Sequence, residues 1–146
     1  MNILRNTRTV KIIQLFWAYF IGVGALYGAL MMFFDPTGKA FGMDAILPIL
    51  QQNLSFVDFL FHNFIASGIA LLIANGLTNV LSIILIYRKS KYSALSGFIC
   101  GIILVLWIML EFYIWGFAAL SVVFLIFGLC QLLNALWWIY ISSKKI

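Results

Sequence analysis

Three titratable side chains in this sequence are candidates for acid–base chemistry. Glu111 lies in a long apolar stretch, and His62 follows Asp58 by four positions in another part of the chain. Carboxylate and imidazole groups transfer protons when they are held close together. Since neither a nucleophile nor a metal-ligand set accompanies them, we expect no catalytic residues, no metal site and no enzyme activity.

His62 and Glu111 form the candidate pair. If the second and third apolar runs span a membrane, both residues fall near the same level, just beneath the outer surface. One interpretation is that they pair across the two helices and make a proton-sensitive or ligand-binding site. The other interpretation, which we favour, is structural: Glu111 reaches to the membrane interface, and His62 sits among lipid headgroups.

A second group of polar side chains lies on one side of the second apolar run. At 100° per residue a helix brings together these amides and hydroxyls: Ser67, Asn75, Thr78, Asn79 and Ser82. Gln131, Asn134 and Gln14 in other runs offer partners. The group predicts either hydrogen bonds between helices or the lining of a permeation path. We favour hydrogen bonds, because no charged residue lies in the middle of a run.

The two cysteines, Cys100 and Cys130, both fall within apolar runs. Cysteine packs there as a small hydrophobic residue. The sequence has no CxxC motif and a single histidine, so it predicts neither a zinc site nor a redox pair. We expect no cofactor.

Composition indicates which elements position these residues. Hydrophobic residues make up 65% of the 146 residues and charged residues 9%, against about 45–50% and 25% in ordinary globular domains. Such a chain has too little polar surface for water and is solvated by a lipid bilayer. The sequence therefore predicts an all-α integral membrane protein.

Four membrane spans fit the uncharged runs, since a spanning helix needs about 20 apolar residues. We place them at 11–34, 64–87, 94–115 and 117–141, as a four-helix transmembrane bundle in a single domain, 1–146. Gly116 is the only backbone breaker near the middle of the last long apolar stretch, and it marks the turn between the third and fourth spans.

The charges predict how the spans are oriented. Eight of the nine cationic residues flank the spans on one side: Arg5, Arg8, Lys11, Arg88, Lys89, Lys91, Lys144 and Lys145. The acids Asp35, Asp44, Asp58 and Glu111 fall on the other side. Basic residues in short loops stay in the cytoplasm, so we expect both termini there and the protein in the plasma membrane. The cations are scattered beside the spans, which argues against nucleic-acid binding.

Small residues predict close helix packing. Span one carries Ala18, Gly22, Ala25 and Ala29 on one track, span three carries Gly97 and Gly101, and span four carries Ser121, Gly128 and Ala135. Small residues let helix backbones approach in lipid, where burial alone gives no driving force. We expect packing within one chain ahead of a homo-oligomer.

Residues 35–63 form the predicted cap, a short amphipathic extracytoplasmic segment between spans one and two. Asp35-Pro36-Thr37-Gly38 is typical of a turn. Asp44 is expected to cap a short helix that runs to about Gln52. A helix continuous from Phe56 to Tyr87 would be far longer than the bilayer core, so we expect residues 56–63 either to protrude from the bilayer or to break the helix near His62 and Asn63.

Five short motifs resemble a widespread group of small four-span bacterial integral membrane proteins of unknown activity. They are Asp35-Pro36-x-Gly38, Gly42-Met43, Phe56-x-Asp58-Phe59, Ala74-Asn75-Gly76 and Leu106-Trp107-Ile108. The resemblance implies a bacterial cytoplasmic membrane, and it implies no activity.

Two functions fit the sequence. The first is a non-enzymatic accessory, regulatory or immunity-type subunit, which acts on a membrane-protein partner through helix packing and the cap. The second is a small oligomeric transporter or channel that uses the polar face of span two.

Overall fold

The computed structural model describes residues 3–144, except for the side chains of residues 3–6, 57 and 58. Five helices make up most of it: α1 (Ile3–Phe34), α2 (Ile46–Asn53), α3 (Ile65–Tyr87), α4 (Ser93–Trp115) and α5 (Ala119–Ser143). Short 3₁₀ helices at Lys39–Phe41 and Ser55–Leu60 flank α2, and the described residues contain no β-strand.

Four of these helices are long and apolar enough to cross a membrane. The candidate spans are Thr7–Phe34, Ile65–Tyr87, Ser93–Trp115 and Ala119–Ser143. Large apolar side chains cover their outward faces, as lipid requires and water would not allow. The predicted all-α four-helix bundle of a multi-pass membrane protein is confirmed, although the first helix begins well before residue 11.

The four long helices form a square in which sequential neighbours are antiparallel. Helices α1 and α4 each pack against α3 and α5, so the pairs α1–α4 and α3–α5 lie on the diagonals. One buried apolar layer joins the start of α1, the α3–α4 connection and the end of α5: Val10, Ile86, Ala94, Trp138 and Ile141. These three segments therefore share one end of the bundle, the arrangement that the charge pattern requires.

The small residues lie at the closest helix contacts. On α1, the track of Ala18, Gly22, Ala25 and Ala29 is buried. A methyl group added to Gly22 would come within 3.3 Å of Asn79 Cβ on α3. At Gly101 on α4, an added Cβ would lie 2.8 Å from the backbone nitrogen of Leu132 on α5. Backbone approach of this kind occurs only where one partner lacks a side chain.

The cap, residues 35–63, starts with the predicted turn. The Gly38 N–H donates to the Asp35 carbonyl at 3.0 Å, and Gly38 has a left-handed φ of +73°. The Asp35 carboxylate accepts the Thr37 hydroxyl at 2.7 Å and the Ala40 N–H at 2.7 Å. These donors, the Thr37 hydroxyl first, stabilise the charged form and hold the pKa of Asp35 below its usual value.

Helix α2 lies over one end of the bundle, called here the cap end. Asn53 Nδ2 donates to the Ile114 carbonyl at 2.7 Å, and Leu50 packs on Phe64 and Ile114. The predicted role of Asp44 is wrong: Ala45 occupies the N-cap position of α2, and no side chain caps that helix.

Of the two alternatives for residues 56–63, the structure shows the break before α3. Residues 61–64 are not helical, and Asn63 Oδ1 accepts the Ile65 N–H at 3.0 Å to start α3. The Phe64 N–H donates to the Pro36 carbonyl at 2.9 Å, so both ends of the cap are tied to each other.

We expect Gly101→Ala to lower the stability of the bundle by about 1–3 kcal/mol, because the new methyl group meets backbone that cannot move aside. Gly24→Ala is the matched control, since its Cβ would find its nearest neighbour, the Phe124 ring, at 3.9 Å. Thermal unfolding of both variants in mild detergent measures the difference. Equal stability of the two variants would show that α4 and α5 are not in backbone contact.

Candidate functional site

The polar side of α3 faces the interior of the bundle. Gly68, Asn75, Asn79 and Ser82 are buried, and Ser67 and Thr78 are half-buried. Leu72–Leu77 forms a π-helical turn in the middle of α3. Such a turn widens the helix locally and recurs at functional sites. Asn75 lies within this turn, and Asn79 follows it by two residues.

Asn79 joins α3 to the diagonally opposite helix. Its Oδ1 accepts a hydrogen bond from Gln131 Nε2 on α5 at 2.9 Å. Its Nδ2 donates to the Asn75 carbonyl at 2.8 Å. Both amide side chains are 0% exposed. A hydrogen bond between two fully buried amides fixes the relative position of α3 and α5.

A second amide pair joins α1 to α5. Asn134 Nδ2 donates to Gln14 Oε1 at 2.9 Å and to the Val10 carbonyl at 3.1 Å. The Gln14 side chain lies directly over Gly97 of α4, where any side chain would collide with it. This pair therefore needs the glycine as well as the two amides.

The hydroxyls of α3 have simpler partners. Ser96 Oγ on α4 donates to Ser82 Oγ at 3.0 Å, so these two hydroxyls link adjacent helices. Thr78 Oγ1 donates to the Ala74 carbonyl at 2.5 Å, within its own helix. The sequence did not single out Ser96, because it lies on a helix whose small residues predict close packing.

Four buried amide atoms have no hydrogen-bond partner within the described part of the chain. They are Gln14 Nε2, Asn75 Nδ2, Asn75 Oδ1 and Gln131 Oε1. Asn75 is 1% exposed, so its whole amide group is both buried and unpaired. Unpaired polar atoms cost free energy in a membrane interior, which makes Asn75 the residue of this cluster that packing does not explain.

Glu111 lies near the cap end of α4, as the sequence predicts, and is half-buried. Trp107 Nε1 donates to its Oε1 at 2.8 Å, and Ser121 Oγ of α5 donates to its Oε2 at 2.6 Å. Neither Trp107 nor Ser121 was predicted as its partner. The carboxylate is therefore held by neutral donors from two helices, and no cationic side chain among the described residues pairs with it.

His62 and Glu111 are not brought together. His62 is exposed in the non-helical segment before α3, and neither a hydrogen bond nor an ion pair joins it to Glu111. A functional role for the two residues stays a prediction. The side chain of Asp58, the third candidate, lies outside the described residues. Within the described range, no three His, Cys, Asp or Glu side chains are grouped as metal ligands would be.

A cavity of about 140 Å³ lies between the cap and the bundle. Glu111 and Ser67 line it together with apolar and aromatic side chains of α1, α2, α3 and α4. Of the residues singled out by sequence, these two share a cavity, and the buried amides lie elsewhere, in the body of the bundle.

Comparison of this chain with protein-family models, with curated proteins and with solved structures gives no match. Its resemblance to small four-span bacterial membrane proteins therefore stays a prediction, and its function is inferred from geometry.

Asn79→Leu and Asn75→Leu should have opposite effects on stability. Asn79→Leu removes two hydrogen bonds and leaves Gln131 wholly unpaired, so we expect a loss of about 1–3 kcal/mol. Asn75→Leu removes two unpaired atoms and keeps the backbone carbonyl that Asn79 uses, so stability should stay equal or rise. Unfolding in detergent measures both variants. A larger loss in Asn75→Leu than in Asn79→Leu would contradict this assignment.

Proposed function

We propose that this protein is a non-enzymatic accessory subunit of the bacterial cytoplasmic membrane, which binds a partner membrane protein through its cap. In this proposal both termini are cytoplasmic and the cap is external. The distribution of cationic residues supports that orientation, and the resemblance to four-span bacterial proteins supports the location.

The observation that carries the proposal is the contrast between the interior of the bundle and its cap. The amides of the spans lie inside the bundle, where Asn79 pairs with Gln131 and Asn134 with Gln14, so the surface that faces lipid is almost wholly apolar. The cap instead presents Phe56 and Phe59, which are 78% and 64% exposed. Exposed aromatic side chains on a fixed scaffold are the usual anchors of protein interfaces.

The cap is held firmly enough to act as such a scaffold. Gln51 Nε2 donates to the Phe61 carbonyl at 2.9 Å, and Asn53 bonds to the end of α4. The amide of Gln51 thus holds the cap together, and that of Asn53 ties the cap to the bundle. The two phenylalanines lie in the 3₁₀ helix that follows α2.

The test is affinity purification of the tagged chain from native membranes in mild detergent. We expect one membrane protein to co-purify with the tagged chain at fixed stoichiometry. This protein should no longer co-purify when Phe56 and Phe59 are both changed to Ser. The matched control changes Trp137 and Tyr140 to Ser; this exposed aromatic pair lies at the opposite end of the bundle. A chain that purifies alone, or equal loss in the control, would refute the proposal.

A second candidate, a small oligomeric transporter or channel, is favoured by one observation. Asn75 is buried, unpaired and within a π-helical turn in the middle of α3, as a residue that contacts a passing polar substrate would be. Reconstituted flux that disappears in Asn75→Leu, while the variant unfolds like the wild type, would support transport. Flux that is unchanged in that variant would exclude a role for this residue.

A further inference from the structure

The cavity under the cap combines features that no step above has used. It lies near the cap end of the bundle, where α2 covers the ends of three long helices, and its volume is about 140 Å³. A cavity of similar size lined by apolar side chains holds a molecule about as large as benzene. The space therefore fits one small group and excludes a lipid chain or a peptide.

The walls of this cavity combine aliphatic, aromatic and methionine side chains. Trp107, Trp115, Phe61 and Phe64 line it, together with Met32 and Met43. Aromatic faces attract cations through the negative charge density of the ring. Methionine side chains adapt their shape to a ligand. These walls would bind a ligand that has apolar groups and a positive charge.

One carboxylate, that of Glu111, stands in a lining that is apolar and aromatic apart from Ser67. Each oxygen of Glu111 accepts one hydrogen bond, from Trp107 and from Ser121. A carboxylate has about four acceptor sites, so both oxygens can accept again. No cationic side chain of the described chain pairs with it, and an uncompensated negative charge at this depth is costly. A carboxyl group avoids this cost either by taking up a proton or by pairing with a cation from outside the chain. The second route makes the site complementary to a positive charge.

We infer that the cavity between the cap and α4 binds a small organic cation, an ammonium group with an apolar body, against Glu111 and the rings of Trp107 and Trp115. Such a group exists as a free amine or quaternary ammonium ion and as the headgroup of a zwitterionic lipid. The inference is independent of the proposed partner protein, because it uses the inside of the cap and not its exposed aromatic residues.

The test uses the full chain in nanodiscs of phosphatidylglycerol, which carries no ammonium group. Binding of choline is compared with that of 3,3-dimethylbutan-1-ol, which replaces the cationic nitrogen by carbon at nearly the same size. Calorimetry, or fluorescence of the tryptophans, measures both after subtraction of empty discs. We expect choline to bind saturably and at least about tenfold more tightly than its neutral counterpart, as a desolvated cation–aromatic and charge contact allows.

Two variants identify the negative charge on which choline binding depends. Glu111→Gln should weaken choline binding about tenfold or more. Asp44→Asn removes the same charge from an exposed position in the cap and should leave binding unchanged. The comparison of choline with its neutral counterpart uses the wild-type protein, so it stands even if Glu111→Gln fails to fold.

A further arm distinguishes the two sources of the cation. Nanodiscs that contain phosphatidylcholine should compete with free choline if the headgroup enters the cavity, and should have no effect if only the free ion does. Equal affinity for choline and the neutral alcohol, equal affinity of folded Glu111→Gln and wild type, or absence of saturable binding would each overturn the inference.

Discussion

A polar group inside a membrane has no water to bond to, so it must find its partner within the protein. This constraint governs the arrangement of the four long helices. Asn79 and Gln131 pair across one diagonal of the square, and Asn134 with Gln14 ties α1 to α5. Lipid gives the helices no hydrophobic reason to associate. These bonds, together with close backbone contacts such as Gly101 on Leu132, hold the bundle together.

The same constraint shapes the cap end. Asn53 satisfies the carbonyl of Ile114 near the end of α4, and Trp107 and Ser121 satisfy the carboxylate of Glu111. The Asn53 bond attaches the cap to α4, and Leu50 and Phe64 pack beneath it. Beside that apolar contact the cavity remains, with a carboxylate that neutral donors hold in place. The two regions therefore differ: most polar groups in the middle of the bundle bond to one another, whereas Glu111 at the cap end keeps free acceptor sites beside a cavity.

Much of this fold follows from the sequence because membrane spans are set by hydropathy and length. The turn at Gly116, with its φ of +82°, also fixes the register of the α4–α5 hairpin. Glu111 and Ser121 are each five residues from Gly116, which is why they meet. That symmetry was available in the sequence, and it would have predicted Ser121 as the partner of Glu111 in place of His62.

The features that the sequence did not predict depend on how the α4–α5 hairpin packs against α1 and α3. The Asn79–Gln131 bond joins residues 52 positions apart. It depends on how far α3 is shifted along its axis relative to α5, and no local sequence pattern determines that shift. The π-helical turn at Leu72–Leu77 cannot be predicted from a helical periodicity of 100° per residue. Asp44 has the right residue type for a cap but lies one residue too early, since α2 starts from Ala45.

The most direct measurement is a double-mutant cycle on Asn79 and Gln131, each changed to Leu singly and together, with unfolding followed in detergent. Gln131 Nε2 donates to Asn79 Oδ1, so the double change should cost less than the sum of the single changes by about 0.6–2 kcal/mol. Strictly additive costs would mean that the two side chains do not pair. The interior of the bundle would then be held together in some other way.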